Sequence, residues 1–333
     1  MTDNADTHPS RTSHSPARQQ PAELGLGCWS FGDSYWLQAH PEPGAGLPPS
    51  YQKYKKIIRT AIKTGIRHFD TAQGYGNGIS EQITGQALHA VRSGVTIATK
   101  TYLRPPDTMR KGIERSLRRL NTDCIDIFYL HWPKPGRDLR PHMEALESAR
   151  EAGLIRHIGV SNFSPAQIRP LMEAGRVDYC QFGYSLLWRN AERELVPFCL
   201  SRGISMVSYS SLAQGLLTHP PGWLDGLPDA DPRRKLTPAS AAHRSQVRSV
   251  IGEVYTTARS LDTSSARLSL AWILGRGWFR YVLFGARSVE QLLDCAGAPQ
   301  LSLPAEVRER LDALTAPLAE LFEEEDNIFG HSP

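Results

Sequence analysis

Eight short apolar runs separated by helix-patterned segments predict a (β/α)8 barrel for this 333-residue chain. Three observations carry that expectation. From Leu24 onward the apolar runs alternate with amphipathic segments without a break, as parallel strands joined by helical crossovers do. Open doubly wound sheets share that alternation, but a count of eight favours the closed TIM-type barrel. Polar, reactive side chains come after nearly every run, which suits a barrel whose strand ends share one rim.

Residues 1–21 are polar and lack the apolar middle of a signal peptide. They read as a disordered tail ahead of a single barrel domain over 22–333. Leu24–Cys28 is the first strand, and a Pro- and Gly-rich loop, His40–Ser50, comes next. Tyr51–Thr64 is a helix, because Tyr54, Ile57, Ile58 and Ala61 share one face and Gly65 stops it. Ile66–Phe69 is the second strand, with a helix from about Ser80 to Ala90. Val95–Thr99 and Ile125–Leu130 are the third and fourth strands. Between them a helix runs from after Asp107 to Leu120. Its Ile113, Leu117 and Leu120 fall at helical spacing, so Arg110, Lys111, Arg115, Arg118 and Arg119 form a solvated face.

Leu139, Met143 and Leu146 mark the next helix, and Leu154–Val160 the fifth strand. Ser164-Pro165-Ala166-Gln167 opens a helix with a capping box and proline at the first helical position. Strands Val177–Cys180 and Ile204–Ser208 flank a helix over Glu192–Ser201. A long loop, Leu216–Ala241, precedes helices near Val247–Arg259 and Ser264–Leu274. Tyr281–Phe284 is the eighth strand and Val289–Ala296 its helix. An amphipathic helix, Ala305–Phe322, closes the chain as an extra C-terminal element.

Composition narrows the function. With 38 basic against 34 acidic residues, nothing global points to nucleic acid or membrane. No apolar stretch approaches transmembrane length. Cys28, Cys124, Cys180, Cys199 and Cys295 are widely spaced with no Cys-x-x-Cys, which fits reduced thiols in a cytoplasmic protein. No cluster has metal-ligand spacing.

In such barrels the site lies at the C-terminal strand ends, so the residues just past each run are the informative ones. Asp70 follows the second strand, with Tyr75 in its loop; Lys100 closes the third and His131 the fourth. Ser161 and Asn162 stand after the fifth, Gln181 after the sixth and Tyr209-Ser210-Ser211 after the seventh. Gly285-Ala286-Arg287-Ser288 comes after the eighth. A lysine ammonium beside a phenol favours the phenolate and lowers its pKa, a carboxylate holds the lysine, and a histidine orients a carbonyl oxygen. Such a group protonates an oxygen while something else attacks its carbon. No nucleophile is supplied, and a hydride from a nicotinamide fits that role. Gly25-x-Gly27 is not a Rossmann phosphate loop, since Trp29, Ser30 and Phe31 stand where that motif needs a small residue and a helix start.

From about Leu24 to the helix after the eighth strand, the chain resembles the aldo-keto reductases, barrel enzymes that reduce aldehydes and ketones with NADPH. The resemblance rests on Gly25-Leu26-Gly27-Cys28-Trp29, Asp70-Thr71-Ala72 with Tyr75-Gly76, Thr99-Lys100 and His131-Trp132-Pro133, and on Gly159-Val160-Ser161-Asn162-Phe163 and Tyr209-Ser210-Ser211-Leu212. It implies a catalytic tetrad of Asp70, Tyr75, Lys100 and His131, with Tyr75 the general acid, Lys100 its tuner, Asp70 the partner of Lys100 and His131 the carbonyl orienter.

The resemblance also implies cofactor contacts. Gly27, Cys28, Trp29 and Asp70 are among them; the nicotinamide carboxamide bonds Ser161, Asn162 and Gln181, and its ring stacks on Tyr209. Ser210, Ser211, Leu212 and Gln214 lie along the pyrophosphate. Gly285, Arg287, Gln291 and Asp294 resemble the adenosine end. A guanidinium at Arg287 suits a 2′-phosphate, favouring NADPH (NADP+) over NADH. Cys295 stands where the family often has Asn, and Phe284 where it usually has Pro.

Substrate contacts fall to Trp29, Tyr75, His131 and Trp132; Trp36 and Tyr102 are further pocket walls or ordinary packing under loops. The long loop is a candidate lid. Three readings stay open: an NADPH-dependent carbonyl reductase, a redox-sensing regulatory subunit like the potassium-channel β subunits, and an NAD-dependent sugar or alcohol dehydrogenase. The expected partner is a small carbonyl or alcohol compound, with no nucleic acid and no membrane, and a monomer is the default.

Overall fold

The computed structural model describes residues 21–32, 47–48, 50–134, 136–325 and 327–329. Trp36, nearly all of the expected tail and most of the loop His40–Ser50 lie outside the described residues. Eight strands form the sheet: β1 (Glu23–Gly27), β2 (His68–Asp70), β3 (Thr96–Thr101), β4 (Ile125–Leu130), β5 (Ile155–Ser161), β6 (Tyr179–Gly183), β7 (Ser205–Tyr209) and β8 (Phe279–Phe284). Each pairs in parallel with its sequence neighbour, and β1 pairs with β8, Glu23 beside Tyr281 and Leu26 beside Phe284. The sheet is therefore a closed barrel. The helices between strands are α1 (Tyr51–Lys63), α2 (Ile79–Leu88), α3 (Met109–Leu120), α4 (Arg140–Glu151), α5 (Pro165–Ala174), α6 (Leu195–Arg202), α7 (Arg244–Ser260) and α8 (Ser265–Leu274). After β8 come α9 (Val289–Ala296) and α10 (Ala305–Leu321). No helix among the described residues is long and apolar enough to cross a membrane.

Several strands run past their apolar cores. β2 takes in Asp70, β3 takes in Lys100 and Thr101, β5 ends on Ser161, and β6 carries Gln181 inside it. Apolar patterning stops where the rim turns polar, but backbone pairing does not depend on side-chain polarity, so the ladder continues. The expected helix over Glu192–Ser201 is shorter: a 3-10 turn, Asn190–Glu192, precedes α6. Glu192 accepts instead from Tyr184 Oη at 2.6 Å and Arg189 Nε at 2.7 Å, and Pro197 sits in the first turn of α6, where its missing N–H is harmless. The stretch Leu216–Ala241 is a chain of 3-10 turns that buries Leu216, Leu217, Leu224, Leu227 and Leu236.

The apolar core has two parts. Inside the barrel sit Ala98, Ile127, Tyr129, Val207, Tyr281 and Leu283; the larger part fills the layer between sheet and helices. Glycines make room for rings in the barrel. A Cβ on Gly159 would stand 2.3 Å from the Tyr129 ring, and one on Gly25 would stand 2.7 Å from that of His68. His68 stacks on Tyr281 at 3.9 Å, and burial with the nearby Lys100 lowers its pKa to about 3, so it is a neutral core histidine. At the far end, Trp272 Nε1 and Arg276 Nη1 hold Asp312 of α10 at 2.9 and 3.0 Å. Beyond α10 the chain returns to the rim, where Thr237 N–H donates to Ile328 O at 3.0 Å.

Close helix packing sets one sharp stability test. A Cβ on Gly85 of α2 would fall 2.3 Å from the Leu120 carbonyl oxygen of α3, which is backbone and cannot swing aside. Gly85→Ala is expected to lose about 1–3 kcal/mol of unfolding free energy, as overpacked sites do. Urea unfolding measures it, and an unchanged midpoint contradicts the packing.

Candidate active site

β2 and β3 are neighbours, with Asp70 paired beside Ala98 and Lys100 two residues further along β3. Asp70 and Lys100 are both buried, with side-chain exposures of 5% and 1%. Lys100 Nζ donates to Asp70 Oδ1 at 2.5 Å and to Thr71 O at 2.8 Å, and lies 3.5 Å from Tyr75 Oη. The second carboxylate oxygen, Oδ2, accepts from Gln181 Nε2 at 2.9 Å, a bond that crosses the barrel from β6 to β2. Tyr75 is turned back over the rim by Gly76, Asn77 and Gly78, which have φ of 55°, 52° and 95°. His131, first residue past β4, meets the edge of the Tyr75 ring at 5.8 Å.

The expected tuning of Tyr75 is not what this arrangement gives. Its pKa is raised well above the ordinary phenol value, first by burial and then by the Asp70 carboxylate. Lys100 sits a full angstrom closer to Asp70 than to the phenol, so its charge is answered there. His131 is shifted the other way: burial, then Lys100, lowers its pKa well below the usual histidine value. Both groups are therefore neutral at physiological pH, and both can donate a hydrogen bond.

Beside them lies a second polar group. Asn162 has φ of 68° and bridges neighbours, its Nδ2 donating to His131 O at 3.0 Å and Ser161 Oγ at 3.1 Å. Tyr209 Oη donates to Asn162 Oδ1 at 2.6 Å. After β7 the backbone takes positive φ at Ser210, Ala213 and Gln214, at 50°, 48° and 56°, each residue strained by about 1–2 kcal/mol. That strained turn runs along one cavity with Ser211, Leu212 and Gly215. At the cavity's other end Arg287 N–H donates to Gln291 Oε1 at 2.8 Å. Asp294 accepts from Ser264 Oγ at 2.6 Å and pairs with Arg267 at 3.2 Å.

The cavity, about 500 Å³, brings together almost all the residues singled out from sequence. Gly27, Trp29, Asp70, Tyr75, His131, Trp132, Ser161, Asn162 and Gln181 line its deep end, with Tyr102. Tyr209 to Gln214, Gly285, Arg287, Gln291, Asp294 and Cys295 line the rest, except Ala213. Two stand back. Lys100 is buried 3.5 Å from the Tyr75 hydroxyl and does not line the cavity. Cys28 does not face the cavity: it is fully buried, its thiol held near Leu26 O and its pKa pushed up to about 12 by burial. Among the described residues no His, Cys, Asp and Glu cluster could hold a metal.

Sequence reasoning missed Arg233, Thr218, His219 and Phe329. Arg233 lies in the turn Pro232–Lys235, its guanidinium held by Asp231 at 2.8 and 2.5 Å and laid over the Trp223 ring at 4.4 Å. It faces Arg287, whose pKa is lowered first by burial and then by Arg233. Phe329 lies parallel to Tyr209 with 6.2 Å between ring centres. Nothing in a loop's composition announces such contacts; the signal available was the Asp231-Pro232-Arg233 turn chemistry.

Comparison with known proteins identifies the family. Residues 23–316 match the model of the Aldo/keto reductase family. The chain is 32% identical over 289 residues to the aldo-keto reductase YhdN of Bacillus subtilis, covering 82% of this chain and 83% of that one. It is similar to the solved glycerol dehydrogenase of Gluconobacter oxydans (TM-score 0.77, 27% identity, 88% of this chain and 91% of that one). It is also similar to an aldo-keto reductase of Klebsiella pneumoniae solved in complex with NADPH (TM-score 0.68, 26% identity, 88% and 90% covered).

The buried pair makes a stability prediction. Lys100→Met is expected to lose about 3–5 kcal/mol, because it leaves the Asp70 carboxylate without its cation in a dry site. Adding Asp70→Asn removes the stranded charge and recovers most of the loss. Urea unfolding of the single and double variants decides it: equal losses contradict the pairing.

Proposed function

The chain belongs to the aldo/keto reductase family of oxidoreductases, and on that premise we propose that it reduces a carbonyl compound with NADPH, with Tyr75 as the acid. The observation that carries this reading is the set of two neutral donors, Tyr75 and His131, over a buried ammonium at one end of a cavity that has two guanidiniums at the other. NADPH, when bound, supplies the hydride. Its fit is supported by the donor chemistry along the cavity: amide and hydroxyl groups of Ser161, Asn162 and Gln181 for a carboxamide, and the Tyr209 ring for a flat heterocycle. The strained turn at Ser210–Gly215 suits a pyrophosphate, and Arg233 with Arg287 suits a 2′-phosphate.

The chain's own residues then divide the work. His131 donates from Nε2 to the carbonyl oxygen and fixes its place. Tyr75 gives its proton to that oxygen as the carbon is reduced, and the phenolate left behind is stabilised by Lys100 until solvent returns the proton. Asp70 keeps Lys100 charged and in position. Trp29, Trp132 and Phe329 exclude water from the reacting atoms. In the reverse direction the same phenol takes up an alcohol proton. The likeness to a glycerol dehydrogenase supports assaying alcohols and polyols with NADP+ and NAD+ beside the carbonyl panel.

Tyr75→Phe is expected to lower turnover by about 10²–10⁴-fold while NADPH binding is kept, measured by NADPH consumption over aldehydes, ketones and sugars. Because the phenol pKa is raised, the acid form persists as pH climbs, so reductive turnover should show no alkaline fall from this group below about pH 10. A near-normal rate in Tyr75→Phe overturns the acid assignment.

For the cofactor, Arg233→Ala and Arg287→Ala are each expected to weaken NADPH by about 10- to 100-fold and NADH by little, read by fluorescence titration. Equal weakening of both nucleotides moves the two guanidiniums from the 2′-phosphate to the pyrophosphate. No weakening of either removes them from the site.

A further inference from the structure

We infer that Tyr102 is the positioning residue for His131, and that Gly74 is glycine in order to admit it. A histidine that must present one nitrogen to a substrate is ordinarily oriented by a hydrogen bond at the other. Among the described residues His131 has no such bond: its Nδ1 is buried without a partner, which leaves Nε2 to reach the cavity. The Asn162 bond to His131 holds the backbone carbonyl, not the ring. The imidazole is held instead by a set of rings. Tyr102 stacks on it at 4.9 Å with 30° between planes, Tyr75 offers an edge at 5.8 Å, and Trp132 comes next along the chain at 6.4 Å. Tyr75 is the reacting group in the function proposed above, so Tyr102 is the face that can hold the ring without taking part.

Two further observations bear on the Tyr102 ring. Tyr102 is 42% exposed while the β3 residues before it are buried, and its ring faces the cavity. Gly74 has φ of −79° and ψ of −16°, ordinary helical values that any residue adopts, so no backbone requirement calls for glycine. Space does: a Cβ on Gly74 would stand 2.5 Å from Tyr102 Cε2 and 3.3 Å from its hydroxyl. A larger residue at 74 requires the Tyr102 ring to shift.

The stack also has an electrostatic effect. Burial first, and then Lys100, lowers the His131 pKa, and Tyr102, stacked on the imidazole, is part of what buries it. The charged and titratable groups facing His131 are Lys100 from β3, the Tyr75 phenol from the β2 loop, and Tyr102 itself; Asp70 lies beyond Lys100. Removing Tyr102 changes the solvent over the ring and leaves the others in place.

The inference rests on the reductase reading for its kinetic consequence but not for its structural one, and the experiment separates them. Histidine titration by 15N NMR is run on the cofactor-free protein and on Tyr102→Ala, Tyr102→Phe, Gly74→Ala and the Gly74→Ala/Tyr102→Ala double variant, with kcat, KM and NADPH Kd measured on the same samples. The His131 pKa is expected to rise toward the ordinary value of about 6.5 in Tyr102→Ala and Gly74→Ala and to stay low in Tyr102→Phe. kcat should fall about 10- to 100-fold in the first two at unchanged NADPH Kd, with rescue in Tyr102→Phe. The double variant should be no worse than Tyr102→Ala alone, since Gly74 matters only through Tyr102. An unmoved His131 titration in Tyr102→Ala overturns the inference, and so does a Tyr102→Phe protein as slow as Tyr102→Ala, which would place the phenol oxygen on substrate. If the parent protein turns over no substrate, the reductase reading fails, and the titration still decides whether Tyr102 holds the imidazole.

Discussion

The ion pair between Lys100 and Asp70 is the constraint on which the site depends. Two opposite charges sit in the apolar interior of a barrel, where neither is tolerable alone. Their desolvation is answered by short contacts on both partners: the Thr71 carbonyl on the lysine, and Gln181 on the far carboxylate oxygen. That last bond joins β6 to β2 across the barrel. The pair is thereby fixed from strands on opposite walls, and the phenol of Tyr75 is positioned against a cation that cannot move.

Burial is the first reason that the phenol stays protonated, and the same pair adds to it: Asp70 takes the nearer contact with the lysine and raises the phenol pKa by its own charge. The chemical end of the cavity thus carries neutral donors over a compensated ion pair. The other end carries Arg233 and Arg287 with Asp294, and behind Arg233 stands Asp231, whose pKa is lowered by both guanidiniums, Arg233 foremost. Polarity is graded along the cavity, from uncharged donors suited to a carbonyl oxygen to cations suited to phosphate.

Most of this was legible in the sequence because a barrel converts strand ends into one surface. Asp70, Lys100, His131, Asn162, Gln181 and Tyr209 are far apart along the chain, yet each stands at the end of an apolar run, and parallel closure brings those ends together. The parts that were not legible have physical reasons. Strand limits slipped at the rim because hydrogen-bonded pairing outlasts apolar patterning. The positive φ values at Ser210, Ala213 and Gln214 contradict local preference and are imposed by the tertiary structure around them. Arg233 and Phe329 reach the cavity from a loop and from the chain end, where no periodicity marks direction.

That division between rim and loops bears on how such a site can vary. Asp70, Lys100 and His131 are carried on strands or on the first residue beyond one, and Tyr75, in the turn after β2, bears on the buried ion pair that those strands hold. The walls above them come from elements with no ladder to hold them: Trp29 from the turn after β1, Tyr102 from just past β3, and Phe329 from a segment tied down by the Thr237–Ile328 bond. A substitution in those walls changes shape and polarity without leaving a buried charge unpaired. Tyr102 is the exception, because its ring touches both kinds of element: it faces the cavity as a wall and bears on His131 as a support. A change there alters the pocket and the chemistry together, so the freedom of the other walls stops at the residue that stacks on the imidazole.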